Sequence, residues 1–177
     1  TIKLSSSDVI HSFWVPNLHG KKDLIPGHDN SIQIQADRPG VYYGQCAEFC
    51  GFQHAHMGLI VVAEPPQEYQ AWLDGQRQSS VTPKTPQQLR GQKLVELLPC
   101  ANCHTIRGTQ ASGRTAPDLT HLASRRTLAA GTLPATRGHL GGWIVDPQGV
   151  KPGNLMPPNP MDSRDLQAVL DYLEILK

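Results

Sequence analysis

The stretch that decides the interpretation of this chain is CAEFCGFQHAHM, residues 46–57. It brings thiols, imidazoles and a thioether into one short loop, and these are the ligands of soft, redox-active metals. A mononuclear blue-copper site needs two histidines, one cysteine and a weak axial methionine, so this stretch has one cysteine too many. Two thiolates can instead bridge two copper ions, each of which also takes one imidazole and one weak ligand. We call this stretch the 46–57 loop.

Such a dicopper site needs two imidazoles. One can come from the loop itself, where local spacing does not choose between His54 and His56. The other can come from His11, which ends the apolar segment before it. Two other uses of the cysteines remain open at this point, a redox disulfide between Cys46 and Cys50 or a transient copper-transfer site.

A second motif, CANCH at residues 100–104, is the attachment signature of c-type haem. Its two thiols add to the haem vinyl groups, and the following His104 becomes the proximal ligand of the iron. Zinc sites and thioredoxin-like sites also use C-x-x-C, so the motif alone is a moderate signal. The helices predicted on either side of it add weight to the haem interpretation. Met156 is the candidate distal ligand and Met161 its competitor, and His/Met ligation raises the reduction potential of a haem.

Composition excludes several classes of protein. The chain has 177 residues with 16 basic and 15 acidic side chains, a formal net charge of +1. This balance argues against a nucleic-acid-binding domain and against polybasic attachment to a membrane. The longest apolar run, Met57–Ala63, is far shorter than the roughly 20 residues that span a bilayer.

Patterning divides the chain into two halves. Strand patterns occupy the first half, including alternation at Ile32, Ile34 and Ala36 and a continuous apolar run at 58–63. A helix is predicted over Gln67–Gln78, followed by a polar linker at 79–85. The second half is predicted to be helical: Thr85, Pro86 and Gln88 form a helix start with a capping box, and an apolar helix ends the chain.

The 46–57 loop and its surroundings resemble subunit II of haem–copper cytochrome c oxidases. The shared residues are the pattern C-x-E-x-C-G-x-x-H-x-x-M and the stretch DVIHSFWVP at 8–16. The dipeptides Lys22-Asp23 and Pro26-Gly27 are shared as well. The resemblance covers residues 8–73 and implies an all-β cupredoxin-like sandwich with a binuclear CuA centre. It assigns the ligands as His11, Cys46, Glu48 through its backbone carbonyl, Cys50, His54 and Met57.

The same resemblance carries further expectations. The Glu48 carboxylate is expected to bind magnesium at the boundary with subunit I. The two membrane-spanning helices and first sandwich strands of the family are expected to precede residue 1, so the sandwich is expected to be truncated at its N-terminal side. The protein is then expected to be attached to the membrane through this N-terminal anchor, which is missing from the present sequence.

Residues 86–177 resemble a class I cytochrome c of the kind fused to subunit II in caa-type oxidases. The stretches APDLTHLASR at 116–125 and WIVDP at 143–147 belong to that pattern. The resemblance implies an all-α domain with haem joined to Cys100 and Cys103 and with His104 and Met156 as axial ligands. The carbonyl of Pro117 is expected to support the His104 ring.

The predicted architecture is therefore a CuA domain with a terminal helix at 1–78, a linker at 79–85 and a cytochrome c domain at 86–177. The predicted function is electron transfer from haem c to CuA and on to haem a in subunit I. The linker makes the first transfer intramolecular, which gives a high effective concentration. The complex is an enzyme, whereas this chain alone only conducts electrons.

Several further expectations and alternatives accompany this prediction. The partners are the haem a/CuB subunit I and a cytochrome or quinol-oxidising complex as donor, on the periplasmic or external face of the bacterial cytoplasmic membrane. A nitric oxide reductase subunit stays open, while nitrous oxide reductases place tryptophan at the position of Glu48. A copper-delivery module would have no use for a covalent haem.

Overall fold

The computed structural model describes residues 1–177, and its first part is built from short antiparallel strand pairs. The strand bounds are β1 Ile2–Leu4, β2 His11–Phe13, β3 Lys22–Leu24, β4 Asn30–Ile32, β5 Gly40–Gln45 and β6 Gly58–Ala63. β1 pairs with β4, β2 with β3, and β5 with β6. Each sheet has two strands, so the predicted sandwich stays a prediction.

The β5–β6 hairpin holds the two ends of the 46–57 loop. Its register runs from Gly40 opposite Ala63 to Gln45 opposite Gly58, so the loop leaves and re-enters the same strand pair. The predicted strand at 58–63 is confirmed as β6. The hydrogen-bond ladder of the hairpin fixes both ends of the loop, and the side chains of the loop can approach one another between these ends.

The predicted strand through Ile34 and Ala36 is wrong beyond Ile32. Alternating burial does continue to Ala36. However, the ladder ends where Ile32 pairs with Ile2, and residues 34–36 pair with no other strand. Alternation reports which face is covered, and a strand also needs a hydrogen-bonding neighbour.

Helices dominate the rest of the chain. Thr85 closes a capping box with Gln88, and Pro86 is the first residue of α2 (Pro86–Leu97), as predicted. Asp162 caps the last helix, α6 (Ser163–Leu173). Two-residue strands β7 Thr127–Leu128 and β8 Leu133–Pro134 make this part mainly rather than wholly helical. The helix bounds are α1 Pro66–Gln76, α2 Pro86–Leu97, α3 Cys100–Cys103, α4 Arg137–Val145, α5 Pro147–Val150 and α6 Ser163–Leu173.

The packing of α2 on α6 forms the centre of the helical core. Gly91 lies so close to α6 that a Cβ there would be 2.0 Å from the carbonyl oxygen of Ala168. Val95 and Tyr172 are almost fully buried on the facing surfaces. An ion pair between Arg90 and Asp165 closes the rim of the contact. The two helices therefore meet backbone to backbone at a position where only glycine leaves room.

The chain forms two compact units, which do not follow the order of the sequence. The first comprises Thr1–Trp72, Ala129–Leu133 and Gln148–Met156, and the second comprises Leu73–Leu128, Pro134–Pro147 and Pro157–Lys177. None of the helices combines the length and hydropathy needed to cross a membrane. Two short segments from late in the chain thus belong to the unit that holds the 46–57 loop.

Candidate copper and haem sites

Two backbone hydrogen bonds bring the strand of His11 to the 46–57 loop, although His11 and Cys46 are 35 positions apart. The N–H of Gln45 donates to the carbonyl of Trp14 at 3.0 Å, and the N–H of Ala47 donates to the carbonyl of Ser12 at 3.1 Å. The N–H of Cys46 donates to the carbonyl of Met57 at 2.8 Å and closes the loop. The strand that carries His11 is thereby fixed beside Cys46.

The donor atoms converge in pairs around two thiols that lie 3.7 Å apart. The Sγ of Cys46 lies 3.9 Å from the Nδ1 of His11 and 3.2 Å from the carbonyl oxygen of Glu48. On the other side, the Sγ of Cys50 lies 3.6 Å from the Nδ1 of His54 and 3.8 Å from the Sδ of Met57. Each thiol therefore has one imidazole nitrogen and one weak donor beside it.

The geometry fits two bridging thiolates. Both cysteines are free, and their sulfur separation of 3.7 Å is far longer than the roughly 2.05 Å of a disulfide bond. Two metal–thiolate bonds of about 2.3 Å can join sulfur atoms up to about 4.6 Å apart. The same metal ion can therefore contact both sulfur atoms without a change in the loop. His11, Cys46 and Cys50 are also the one set of three such side chains whose ligand atoms lie within 4.8 Å of one another.

His54, and not His56, faces the thiols. The ring of His56 instead contacts the side-chain oxygen of Gln53 at 3.2 Å and is exposed. A short 3-10 turn over His54–His56 directs successive side chains apart, so this geometry favours His54 over His56 as a ligand. Phe49 packs its ring against His54 with centroids 5.7 Å apart.

An outer carboxylate orients His11. The Nε2–H of His11 donates to Asp8 at 2.9 Å, which leaves the Nδ1 lone pair directed towards Cys46. Hydrogen bonds from His11 and Ser6 lower the pKa of Asp8 to about 2, so Asp8 is ionised at neutral pH. Sequence reasoning did not assign Asp8 a role, although its place three residues before His11 was a usable signal.

The two thiols differ in acidity. Burial opposes ionisation of Cys46, but hydrogen bonds from the backbone of Glu48 and Ser12 and from His11 outweigh it and lower the pKa of Cys46. Burial, followed by the hydrogen bond and charge of Cys46, raises the pKa of Cys50. Ionisation of one thiol therefore opposes ionisation of the other, and a bound cation would favour the two thiolates together.

The carboxylate of Glu48 points away from the thiols. It lies 3.3 Å from the Nζ of Lys21, and both side chains are about half exposed. The carbonyl of Glu48 thus lies beside the Cys46 thiol among the donor atoms, while the Glu48 side chain lies at the surface.

The haem motif has a different geometry. Cys100 and Cys103 begin and end the single turn of α3, and both are free. Neither joins a set of three metal-ligating side chains, so the motif does not have the shape of a zinc site. Burial raises the pKa of the Cys100 thiol. Two separate thiols on one helical turn suit covalent attachment to two points of a planar group.

The predicted support of His104 is confirmed. Its Nδ1–H donates to the carbonyl of Pro117 at 2.7 Å, which fixes the tautomer and leaves Nε2 free as an iron ligand. Met156 is half-buried and lies in the first unit, whereas His104 lies in the second. The backbone N–H and carbonyl of Met156 are held by Asn154 and Gln148 at 2.8 and 2.9 Å. The axial ligand pair stays a prediction.

One buried side chain in the first unit was missed from the sequence. Lys151 is 7% exposed, and its Nζ donates to the carbonyls of His56 and Ala129 at 2.9 and 3.1 Å. No local pattern distinguishes this lysine from exposed ones, because its acceptors come from two other segments of the chain.

Comparison with known proteins matches both halves of the chain. Residues 1–64 match the family described as cytochrome c oxidase subunit II, periplasmic domain, and residues 88–177, half of the chain, match the cytochrome c family. Cytochrome c oxidase subunit 2 of Alkalihalophilus pseudofirmus is 39% identical over 176 residues, which are 99% of this chain and 51% of that protein. The Bacillus subtilis subunit 2 is 32% identical over 186 residues, covering 98% of this chain and 52% of that protein.

Among solved structures, the periplasmic domain of subunit II of cytochrome oxidase (CoxB) of Bradyrhizobium japonicum is 36% identical and covers 41% of this chain and 53% of that one, with a TM-score of 0.40. The chain spans about half the length of the curated relatives it matches. The two family matches fall on the two parts that carry the thiol-rich loop and the haem motif. The chain therefore belongs to the cytochrome c oxidase subunit II family, in the form in which a cytochrome c domain follows the periplasmic domain.

Proposed function

We propose that this chain is the electron-transfer part of a haem–copper cytochrome c oxidase. When bound, haem c and a dicopper CuA centre supply the one-electron chemistry, with electrons passing from haem c to CuA and on to haem a in subunit I. The observation that carries the proposal is the convergence of two free thiols with one imidazole and one weak donor on each.

The copper ligands in this proposal are His11, Cys46, the Glu48 carbonyl, Cys50, His54 and Met57. Cys46 and Cys50 would hold both copper ions, and the presence of one imidazole and one weak donor beside each thiol supports sharing of the charge between them. The backbone bonds that hold Gln45, Cys46 and Ala47 support a rigid site. A ligand cage that does not move on reduction favours fast transfer, because little reorganisation accompanies each electron.

In the haem part, Cys100 and Cys103 would bind the haem covalently, and His104 and Met156 would be the axial ligands. The hydrogen bond from His104 to Pro117 supports this role because it orients the ring and raises its donor strength. The thioether of Met156 would raise the reduction potential relative to a second imidazole.

The wider assignments belong to the same proposal. Residues 1–78 form a cupredoxin-like domain, 79–85 a linker and 86–177 a class I cytochrome c domain, which the matches at 1–64 and 88–177 support. Subunit I is the acceptor, and a cytochrome or quinol-oxidising complex is the donor. The site faces the periplasm or external side, and the Glu48 carboxylate binds magnesium at the subunit I boundary.

The experiment is a metal and spectroscopic analysis of the chain produced with haem attachment and loaded with copper. We expect two coppers for each haem iron, haem that survives denaturing electrophoresis, and overlapping haem and dicopper absorption bands. Haem without copper, or copper without covalent haem, contradicts the proposal and favours a simple cytochrome or a copper-delivery module, respectively.

Matched variants test the ligands. Cys50→Ser removes one bridge, so it should leave one copper or none, and His54→Ala should also lose the dicopper spectrum. His56→Ala is the control, because its ring faces Gln53 and not the thiols. Two retained coppers with an unchanged spectrum in Cys50→Ser would show that the cysteines do not bridge.

A further inference from the structure

The first unit contains an unusual run of backbone at residues 129–131, which we call the left-handed turn. Ala129, Ala130 and Gly131 have φ angles of 53°, 54° and 81°. Alanine rarely adopts this conformation, because its Cβ crowds the following carbonyl oxygen. Such backbone persists only where surrounding contacts hold it, and it is concentrated at functional positions.

The contacts that hold the left-handed turn come from the 46–57 loop and the strand after it. The carbonyl of Ala130 accepts a hydrogen bond from the N–H of Gly58 at 2.8 Å. A Cβ on Gly131 would lie 3.4 Å from the Cα of Gly58, so two glycines meet at this point. The turn thus presents its carbonyls to the chain immediately after Met57, a proposed copper ligand.

Lys151 completes this junction. Its ammonium donates to the carbonyl of His56, on the 46–57 loop, and to the carbonyl of Ala129, on the left-handed turn. No carboxylate pairs with it among the ion pairs of the molecule. Burial of an ammonium that only carbonyl dipoles compensate is costly, so its retention calls for a function.

Lys151 is also connected to Met156 by a short series of hydrogen bonds. The side chain of Asn154 donates to the carbonyl of Lys151 and accepts from the N–H of Met156 at 2.8 Å. A separate bond joins Gln53 of the 46–57 loop to the carbonyl of Pro152 at 2.8 Å. We call residues 148–156 the Met156 segment. It is tied to the 46–57 loop at two points.

We propose that Lys151 is a positioning residue that fixes the Met156 segment and the left-handed turn on the 46–57 loop. The inference rests on the proposed function, because the segment ends in the proposed haem ligand and the loop carries the proposed copper ligands. Lys151 thereby sets the electronic coupling for one-electron transfer from reduced haem to oxidised copper.

The test compares the chain carrying haem and copper with its Lys151→Met and Lys151→Arg variants. Hydrogen exchange at the Gly58 amide and across 148–156 reports the junction itself. Internal electron transfer is measured by reducing the haem rapidly and then recording the change in copper absorption with time. Lys151→Met should speed exchange at these amides and slow electron transfer, each by about tenfold or more, since charged hydrogen bonds at a buried site are lost.

Lys151→Arg keeps a cation with several donors and should restore most of both signals. Lys93→Met, at an exposed position on α2, is the matched control and should change neither. In Lys151→Met the absorption bands of both centres should persist, which separates positioning from loss of a site.

Unchanged exchange and an unchanged electron-transfer rate in Lys151→Met would overturn the inference. Faster exchange with an unchanged rate would also overturn it, since Lys151 would then only stabilise the fold. Absence of either centre from the parent chain would instead refute the proposed function, while exchange at Gly58 would still report whether Lys151 holds the junction.

Discussion

At the residue scale, the candidate copper site depends on how each ring and thiol is oriented. His11 and His54 both direct Nδ1 at a thiol, and only His11 has an outer carboxylate that fixes this orientation. The pKa of Cys46 is lowered and that of Cys50 is raised because the two thiols share one site, where a bound cation would favour both thiolates. Small outer contacts should therefore control metal affinity.

Asp8→Asn tests the outer contact at His11. The carboxylate fixes the ring and increases its donor strength, so copper affinity should fall by about 10–100-fold while the dicopper spectrum is kept at saturating copper. Copper titration against a competing chelator measures the change. Asp29→Asn removes the same charge at an exposed position and should have no effect. Equal affinity in both variants would show that Asp8 does not orient a ligand.

Met156→His tests the distal haem ligand. The haem should remain attached, because Cys100 and Cys103 are unchanged, but its potential should fall since imidazole is a stronger donor than thioether. The long-wavelength sulfur-to-iron absorption band should disappear, and redox titration gives the potential. If Met161→Leu removes that band and Met156→His does not, Met161 is the ligand.

At the element scale, the crossing of α2 and α6 sets the stability of the helical core. Gly91 lies against Ala168, and Tyr172 is 1% exposed beside them. Burial and the nearby carboxylate of Glu96 raise the pKa of Tyr172 to about 12. The contact is thus sensitive both to one added methyl group and to ionisation of one hydroxyl group.

Gly91→Ala should destabilise the second unit by at least about 3 kcal/mol, since the new Cβ meets backbone that cannot rotate away. Denaturant unfolding measured on the haem absorption gives the free energy. Gly142→Ala, in α4, has no atom within 4 Å of its Cβ and should instead stabilise by about 0.5–1 kcal/mol through helix propensity. Equal effects at the two positions would contradict the close crossing.

Tyr172→Phe should remove part of the alkaline instability of the protein. The folded pKa is raised above the unfolded value, so this contribution to stability is complete below about pH 10 and is lost as pH rises through about 12. Near pH 11 the parent should lose about 1.4 kcal/mol that the variant keeps.

Unfolding free energies of both proteins near pH 8 and near pH 11 give this difference. The same decline with pH in both proteins would mean that the Tyr172 hydroxyl does not ionise on unfolding in this range.

At the scale of the whole molecule, the proposed exit of electrons concerns Glu48. Its carbonyl belongs to the donor cluster, whereas its carboxylate is half exposed and pairs with Lys21. A hard oxygen ligand at a surface suits magnesium rather than copper. The two ends of one residue can therefore serve two different metals.

Glu48→Gln in the assembled oxidase should keep both coppers and transfer from haem c to CuA, because the carbonyl stays in place. Magnesium retention should weaken and transfer to haem a should slow. Metal analysis and flash-induced electron transfer measure these effects, with Glu64→Gln as an exposed control of equal charge. Loss of the dicopper spectrum would mean that Glu48 acts through folding of the loop. Unchanged magnesium and exit rate would leave its carboxylate without a role.

The sequence by itself determined the features that depend on a few neighbouring residues. The cysteine spacing of the loop, the haem motif and the capping box at Thr85 all follow from local geometry. The expected carbonyl of Pro117 beside His104 also came from the family pattern and is present.

The tertiary structure alone decided what depends on distant partners. The sequence offered His11 as a ligand, but the distances around Cys46 come from backbone hydrogen bonds between separate segments. The end of the strand at Ile32 depended on which residues had a neighbouring strand to pair with. The burial of Lys151 depended on carbonyls from two other stretches of chain. A residue type carries its chemistry with it, but its environment comes from residues that pairing and packing bring near.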